Sequence, residues 1–198
     1  MNKSSFIESK FFAFIDITYR LIKSNLLFWG LLFKNFIIFG VTVSFCTLIE
    51  VVDEIFAGSG RSIRELFREI SPKYKNKKKL SLITIGLIIY LSAFIILPFP
   101  ALMNSYYASV IKFALIYIFL LALVLFTYIA WVLVKMDLSL KQSILYSFYL
   151  LIKRFFRTII LVLTMIAIAF AARMNFIFLF FFAPSIYAMF VRFVLRKV

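Results

Sequence analysis

Histidine is absent from this chain of 198 residues. The commonest general base and metal ligand at neutral pH is therefore missing. Cysteine occurs once, as Cys46, so no disulfide closes within the chain. With five glycines and four prolines in all, a phosphate-cradling glycine loop is hard to place. No HExxH or CxxC pattern is present. A serine nucleophile would lack a histidine base. A Ser–Lys arrangement stays open by composition, and no spacing supports one.

Acids are scarce as well, eight in total: Glu8, Asp16, Glu50, Asp53, Glu54, Glu65, Glu69 and Asp137. All lie outside the cores of the long apolar runs. A proton-coupled transporter needs an ionisable relay within the membrane, and Lys34 alone is a poor one. Glu50, Asp53 and Glu54 cluster after the first apolar run. A cation site is one reading of them, and a solvated helix end is the favoured one. The expectation is a protein that is not an enzyme, with no cofactor and no metal.

What the chain has in abundance is oil. Hydrophobic residues make up 65% and mean hydropathy is +1.06, whereas soluble domains are about half apolar. Several runs approach or exceed the roughly 18 apolar residues of a membrane helix. The reading is an all-α, multi-pass transmembrane helical bundle in a single domain. The net charge is +15. In a soluble protein that balance would suggest nucleic acid; here the charges fall mostly between the apolar runs. Basic cytoplasmic loops and anionic lipid account for them, so no nucleic-acid partner is expected.

About five apolar segments are expected, near 25–49, 80–97, 113–134, 158–172 and 175–191. Pro98 and Pro100 favour an end or bend after the second. The third is the cleanest spanning helix. Pro184 is expected to kink the fifth, and neighbouring helices must then cover the freed carbonyl. Residues 1–24 read as an amphipathic helix, lying in the membrane interface or packed on the other segments. They lack a continuous apolar core, so no cleaved signal peptide is expected. Tyr106, Tyr107 and Trp131 fit interfacial belts. A sugar-stacking role for the aromatics is the weaker reading.

Orientation follows from Lys and Arg. The stretches 50–79 and 135–157 and the C-terminal tail are basic, which places them in the cytoplasm. Lys3, Lys10, Arg20 and Lys23 favour the same side for the N-terminus. Both ends of the segment 25–49 would then lie on one side. A bent or re-entrant segment satisfies this, with Lys34 and Asn35 near the break and Gly40 easing the turn. The rival is a plain crossing with the N-terminus outside, in which a central lysine costs about 3 kcal/mol. Lys34 and Asn35 are the candidate polar intramembrane residues. Two amphipathic stretches are expected on the cytoplasmic face. One carries Ile63, Leu66, Phe67 and Ile70. The other aligns Leu140, Ile144, Ser147, Leu151 and Phe155.

At "NLLFWGLLF" (25–33) and "KMDLSLKQSILYSFYLLIKRFFRTIILVL" (135–163) the chain resembles the YesL family of small bacterial membrane proteins. Asp137 to Gln142 match its "D-L-S-L-K-Q" loop. The proline and most of the Thr-Ile-Gly element that follow the family's opening are missing; "KNFIIFGVT" keeps only Gly40. The family has no established activity, and its members often accompany carbohydrate importers of the ATP-binding-cassette (ABC) type. The resemblance thus implies a bacterial cell-membrane protein that serves as an accessory in carbohydrate uptake. Its expected partners are the lipid bilayer and a sugar permease or its ATPase. Asp137 and Lys141, at i and i+4, are the candidate partner-contact residues; a surface ion pair is the bland alternative. The other function left open is an autonomous small transporter or channel, single or homo-oligomeric, with Lys34 and Asn35 lining a polar path.

Overall fold

From Lys3 to Lys34 the chain meets no proline and a single glycine, Gly30, and it folds as one helix, α1 (Lys3–Lys34). At 1.5 Å per residue α1 is about 48 Å long. It joins the amphipathic N-terminal stretch to the first half of the apolar segment, with no division at residue 24. The computed structural model describes residues 3–96, 105–136 and 138–196. Pro98, Pro100 and Asp137 lie outside the described residues.

The apolar stretch 25–49 is not one rod. Helix α1 stops at Lys34, where the Asn35 side chain donates to the Leu31 carbonyl at 2.8 Å. Phe36 and Ile37 take positive φ values of 52° and 42°, a left-handed conformation that is strained for an isoleucine. A short 3-10 turn follows, and α2 (Val41–Phe56) runs back along α1. Direction is fixed at the far end, where Arg20 of α1 donates to the carbonyls of Ser59 and Arg61 at 2.7 and 3.1 Å. The two helices form an antiparallel hairpin.

Gly40 is what lets the hairpin close. A Cβ there would sit 2.8 Å from the Leu32 carbonyl oxygen and 3.2 Å from the Leu32 Cα. Both are backbone atoms and cannot swing aside. Gly40→Val is expected to destabilise the protein by about 2 kcal/mol. Cys46 is the sole cysteine and is fully buried on α2, with its thiol toward the Ala130 carbonyl, so its reactivity reports unpacking of α2. In detergent, the temperature at which Cys46 reacts with a thiol-directed fluorophore should fall in the variant. An unchanged temperature would contradict the close approach.

Helix α2 is the centre of the molecule. Val43, Cys46, Leu48, Ile49, Val51 and Val52 are at most 1% exposed. It packs on α1, α3 (Ile63–Ile70), a 3-10 stretch (Ser71–Lys77), α4 (Lys78–Ile96), α5 (Ser105–Lys135) and α9 (Ala183–Leu195). Ile63, Leu66, Phe67 and Ile70 are all buried, so the α3 stripe faces protein. The stretch 50–79 is folded nearly throughout and is not an open loop. Ser81 at the start of α4 accepts the Thr42 amide at 3.0 Å, satisfying one of the orphan donors of the α2 first turn.

Helix α6 (Leu140–Lys153) starts at a capping box, in which Ser139 accepts the Gln142 amide and Gln142 accepts the Ser139 amide. It lies on α5 through Ser143, Ser147 and Leu150. Leu145, Phe148, Tyr149 and Ile152 point outward. The aligned set expected from the sequence is therefore rotated: of its members, only Ser147 is fully buried. Small residues admit the neighbouring helix, and the bulky ones are left for lipid.

The all-helical expectation holds: no strand occurs among the described residues. Of the about five apolar segments expected, the first of them bent or re-entrant, not all have the length of a span. Among the described residues, three helical tracts are long and apolar enough to cross a bilayer: Ile63–Ile96, Ser109–Lys135 and Phe155–Met174. The apolar part of the first is α4; the second is most of α5; the third is α7 (Phe155–Met174). The first apolar segment is not among them because it turns at 35–40, as its bent reading expected. The fifth fails because it splits at Phe182 into α8 (Phe176–Phe181) and α9, with Pro184 in the first turn of α9.

The interior is mainly apolar, yet the surface is oily as well. Ser24, Asn25, Ser81 and Ser185 are fully buried, whereas Phe113, Ile152 and Phe156 are 75–81% exposed. So much exposed oil demands an apolar solvent, and a membrane protein is the reading that satisfies it.

Candidate functional site

The broken fifth segment shows how the interior polar groups are used. Proline has no N–H, so Pro184 cannot bond the carbonyl four residues back, at Phe180. That carbonyl instead accepts the Asn25 side-chain amide at 2.5 Å and the Trp29 indole N–H at 3.2 Å. The Asn25 side-chain oxygen accepts the backbone N–H of Ser185 at 2.9 Å and its hydroxyl at 3.0 Å. The Ser185 hydroxyl also lies 2.9 Å from the Leu21 carbonyl. One buried asparagine on α1 thus covers both the carbonyl and the amide exposed by the break. The freed carbonyl was expected from Pro184; its partners sit in the "NLLFW" motif and were not identified from sequence.

The acids are consumed in the same structural way. Asp53 of α2 bonds Arg192 of α9 at 2.5 Å and also bonds Lys135 at the end of α5. The Arg192 guanidinium lies 4.9 Å from the Phe56 ring centroid and Lys135 lies 5.3 Å from that of Trp131, within cation–π range. Burial alone would raise the Asp53 carboxyl. The hydrogen bonds and charges of Lys135 and Arg192 outweigh it and hold the carboxyl below its usual range. Glu50 accepts from Lys73 at 2.7 Å and from the Tyr74 hydroxyl at 2.6 Å. Arg61 bridges Glu54 and Glu69 at 3.1 and 2.9 Å. Glu50, Asp53 and Glu54, which the sequence brings close, thus turn to different cations and do not converge on one point.

A different balance holds on the other flank of the hairpin. A groove of about 1070 Å³ runs between α1 and the α3–3-10 stretch. Lys34 at the end of α1 and Asn35 just after it line one side; Arg64, Arg68, Lys75 and Lys78 line the facing wall. Glu65 is its one acid. Among the described residues, none of these five cations enters an ion pair, whereas Arg20, Arg61, Lys73, Lys135 and Arg192 all do. Lys34 and Asn35, picked from the sequence as polar residues in oil, are therefore brought together with four cations that had counted only as loop charge. The signal for two of them was present: Arg64 and Arg68 stand at i and i+4, opposite the apolar stripe of α3.

Lys141 is exposed in the first turn of α6. Its expected partner Asp137 lies outside the described residues. No family model, curated protein or solved structure matches this chain.

Proposed function

We propose that the chain is a non-enzymatic, multi-pass protein of the bacterial cell membrane that acts by holding another membrane component. Its C-terminus is cytoplasmic on the basic-loop argument. The most specific form of this reading is an accessory of a carbohydrate importer of the ATP-binding-cassette type, in contact with the permease or its ATPase. The resemblance at residues 25–33 and 135–163 motivates the importer. The observation that carries the non-catalytic part is the use of the interior polar groups: Asn25, Ser185 and Asp53 each close a helix contact. The turn at 35–40 fits a first segment whose two ends lie on the same side of the bilayer.

The test is partner capture. A C-terminally tagged chain is crosslinked in native membranes and solubilised gently. A sugar permease or its ATPase in fixed stoichiometry is the expected result. Recovery of the protein alone would overturn the accessory role.

One observation favours a second reading, an autonomous transporter: Lys34 and Asn35 line the large groove. Flux in liposomes that is lost in Lys34→Leu would select it. Flux that survives that substitution would remove it.

A further inference from the structure

We propose that the groove between α1 and the α3–3-10 stretch binds the phosphate headgroup of an anionic membrane lipid. This requires the membrane setting but not the uptake partner.

Charge comes first. Five cations face one carboxylate in a single groove, and among the described residues none of the five is ion-paired. Holding like charges together is unfavourable unless an anion joins them. Elsewhere the protein supplies its own anions, from Asp16 on α1, Glu50, Asp53 and Glu54 on α2 and Glu69 on α3. Here it does not. Arg64 and Arg68 offer planar forks suited to phosphate oxygens, and the lysines add point charges. The two kinds stand on both walls: Lys34 on α1, the others across from it.

Shape and polarity favour a lipid over a soluble phosphate. Leu27, Leu31 and Phe67 give the groove an apolar lining between the charges. Gly30 opens its α1 wall, since no atom lies within 4 Å of where a Cβ would stand. Beside Lys34 the chain exposes Phe33, Phe36 and Ile37, at 55%, 82% and 48%. A headgroup held by the cations leaves its acyl chains against oil. A small hydrophilic anion would gain nothing from that neighbourhood.

The experiment titrates the purified chain, in neutral-detergent micelles, with fluorescent phosphatidylglycerol and with equally labelled phosphatidylcholine. Wild type is expected to prefer phosphatidylglycerol more than about tenfold. Arg68→Gln and Lys78→Gln should each lower that preference roughly fivefold. Lys141→Gln, outside the groove, should leave it unchanged. Gly30→Leu should fill the gap and abolish the preference. Its thermal stability should not fall, because the site is open and leucine is the better helix former.

Equal binding of the two lipids by wild type would overturn the proposal. So would a loss in Lys141→Gln as large as that in Arg68→Gln, which would mean attraction spread over the whole basic surface. Inorganic phosphate is then added against chloride at matched ionic strength. Failure to displace the label supports the lipid; full displacement by phosphate assigns the groove to soluble phosphate esters and overturns it.

Discussion

Replacing Asn25 by leucine is expected to lower stability in detergent by about 2 kcal/mol, roughly the penalty of orphaning one buried backbone amide and weakening the bonding of a part-buried carbonyl. The variant keeps the side-chain volume and removes the polar atoms. The Ser185 amide loses its acceptor, and the Phe180 carbonyl retains only the longer Trp29 bond. Polar pairs between membrane helices are often worth less, near 0.6 kcal/mol, because the separated partners find substitutes. Asn25 differs in serving backbone groups that the break has stripped of helical partners, so the larger figure applies. The release temperature of Cys46 is a suitable readout. Pro184→Ala supplies an N–H four residues beyond Phe180, so Asn25→Leu should be markedly less damaging in that background. Equal losses in both backgrounds would show that Asn25 is not compensating for the proline.

The second large effect is at Asp53. Asp53→Asn leaves Arg192 with no carboxylate, and its side chain is only 10% exposed. Breaking a buried ion pair by removing one partner costs about 3–5 kcal/mol. Lys135 is 40% exposed, and water will compensate it, so about 3 kcal/mol is expected at neutral pH. The dependence on pH has a definite sign. The Asp53 carboxyl is held below its unfolded value, so its contribution is full above about pH 4 and is lost as pH falls through the folded value. Melting curves of wild type and Asp53→Asn should therefore converge on acidification below about pH 4. A gap as wide at pH 3 as at pH 7 would mean that the carboxylate charge is not what ties α2, α5 and α9 together.

How much of this was legible in the sequence depends on whether the cause was local. The break after Lys34 was: a cation, an asparagine and a nearby glycine interrupt an apolar run, and the charges flanking it favour a turn over a plain crossing. The α5 crossing was also legible, because its apolar run is uninterrupted. The amphipathic stripe of α3 was visible, but its destination was not. Ile63, Leu66, Phe67 and Ile70 suit a membrane surface and a protein neighbour equally, and only α2 decides between them. The rotation of α6 was hidden for a related reason. In oil the hydrophobic pattern no longer says which side is inside, and the informative residues are the small ones, Ser143 and Ser147.

The site residues divide in the same way. Lys34 and Asn35 stood out as polar residues in oil. Arg64, Arg68, Lys75 and Lys78 looked like ordinary loop charge, because pairing is a property of three-dimensional neighbours. Lys73 lies amid them in sequence and is bonded to Glu50; Lys75, two residues on, is not ion-paired among the described residues. Nothing in "SPKYKNKKK" separates the two.

The contact between Asn25 and Phe180 spans 155 residues. At about 5–20 residues per second, the ribosome delivers Phe180 on the order of ten seconds after Asn25. Throughout that interval the asparagine amide lacks its folded-state partners on α8 and α9. The order of synthesis thus opposes early burial of α1. Its last docking step must await the synthesis of α8 and α9.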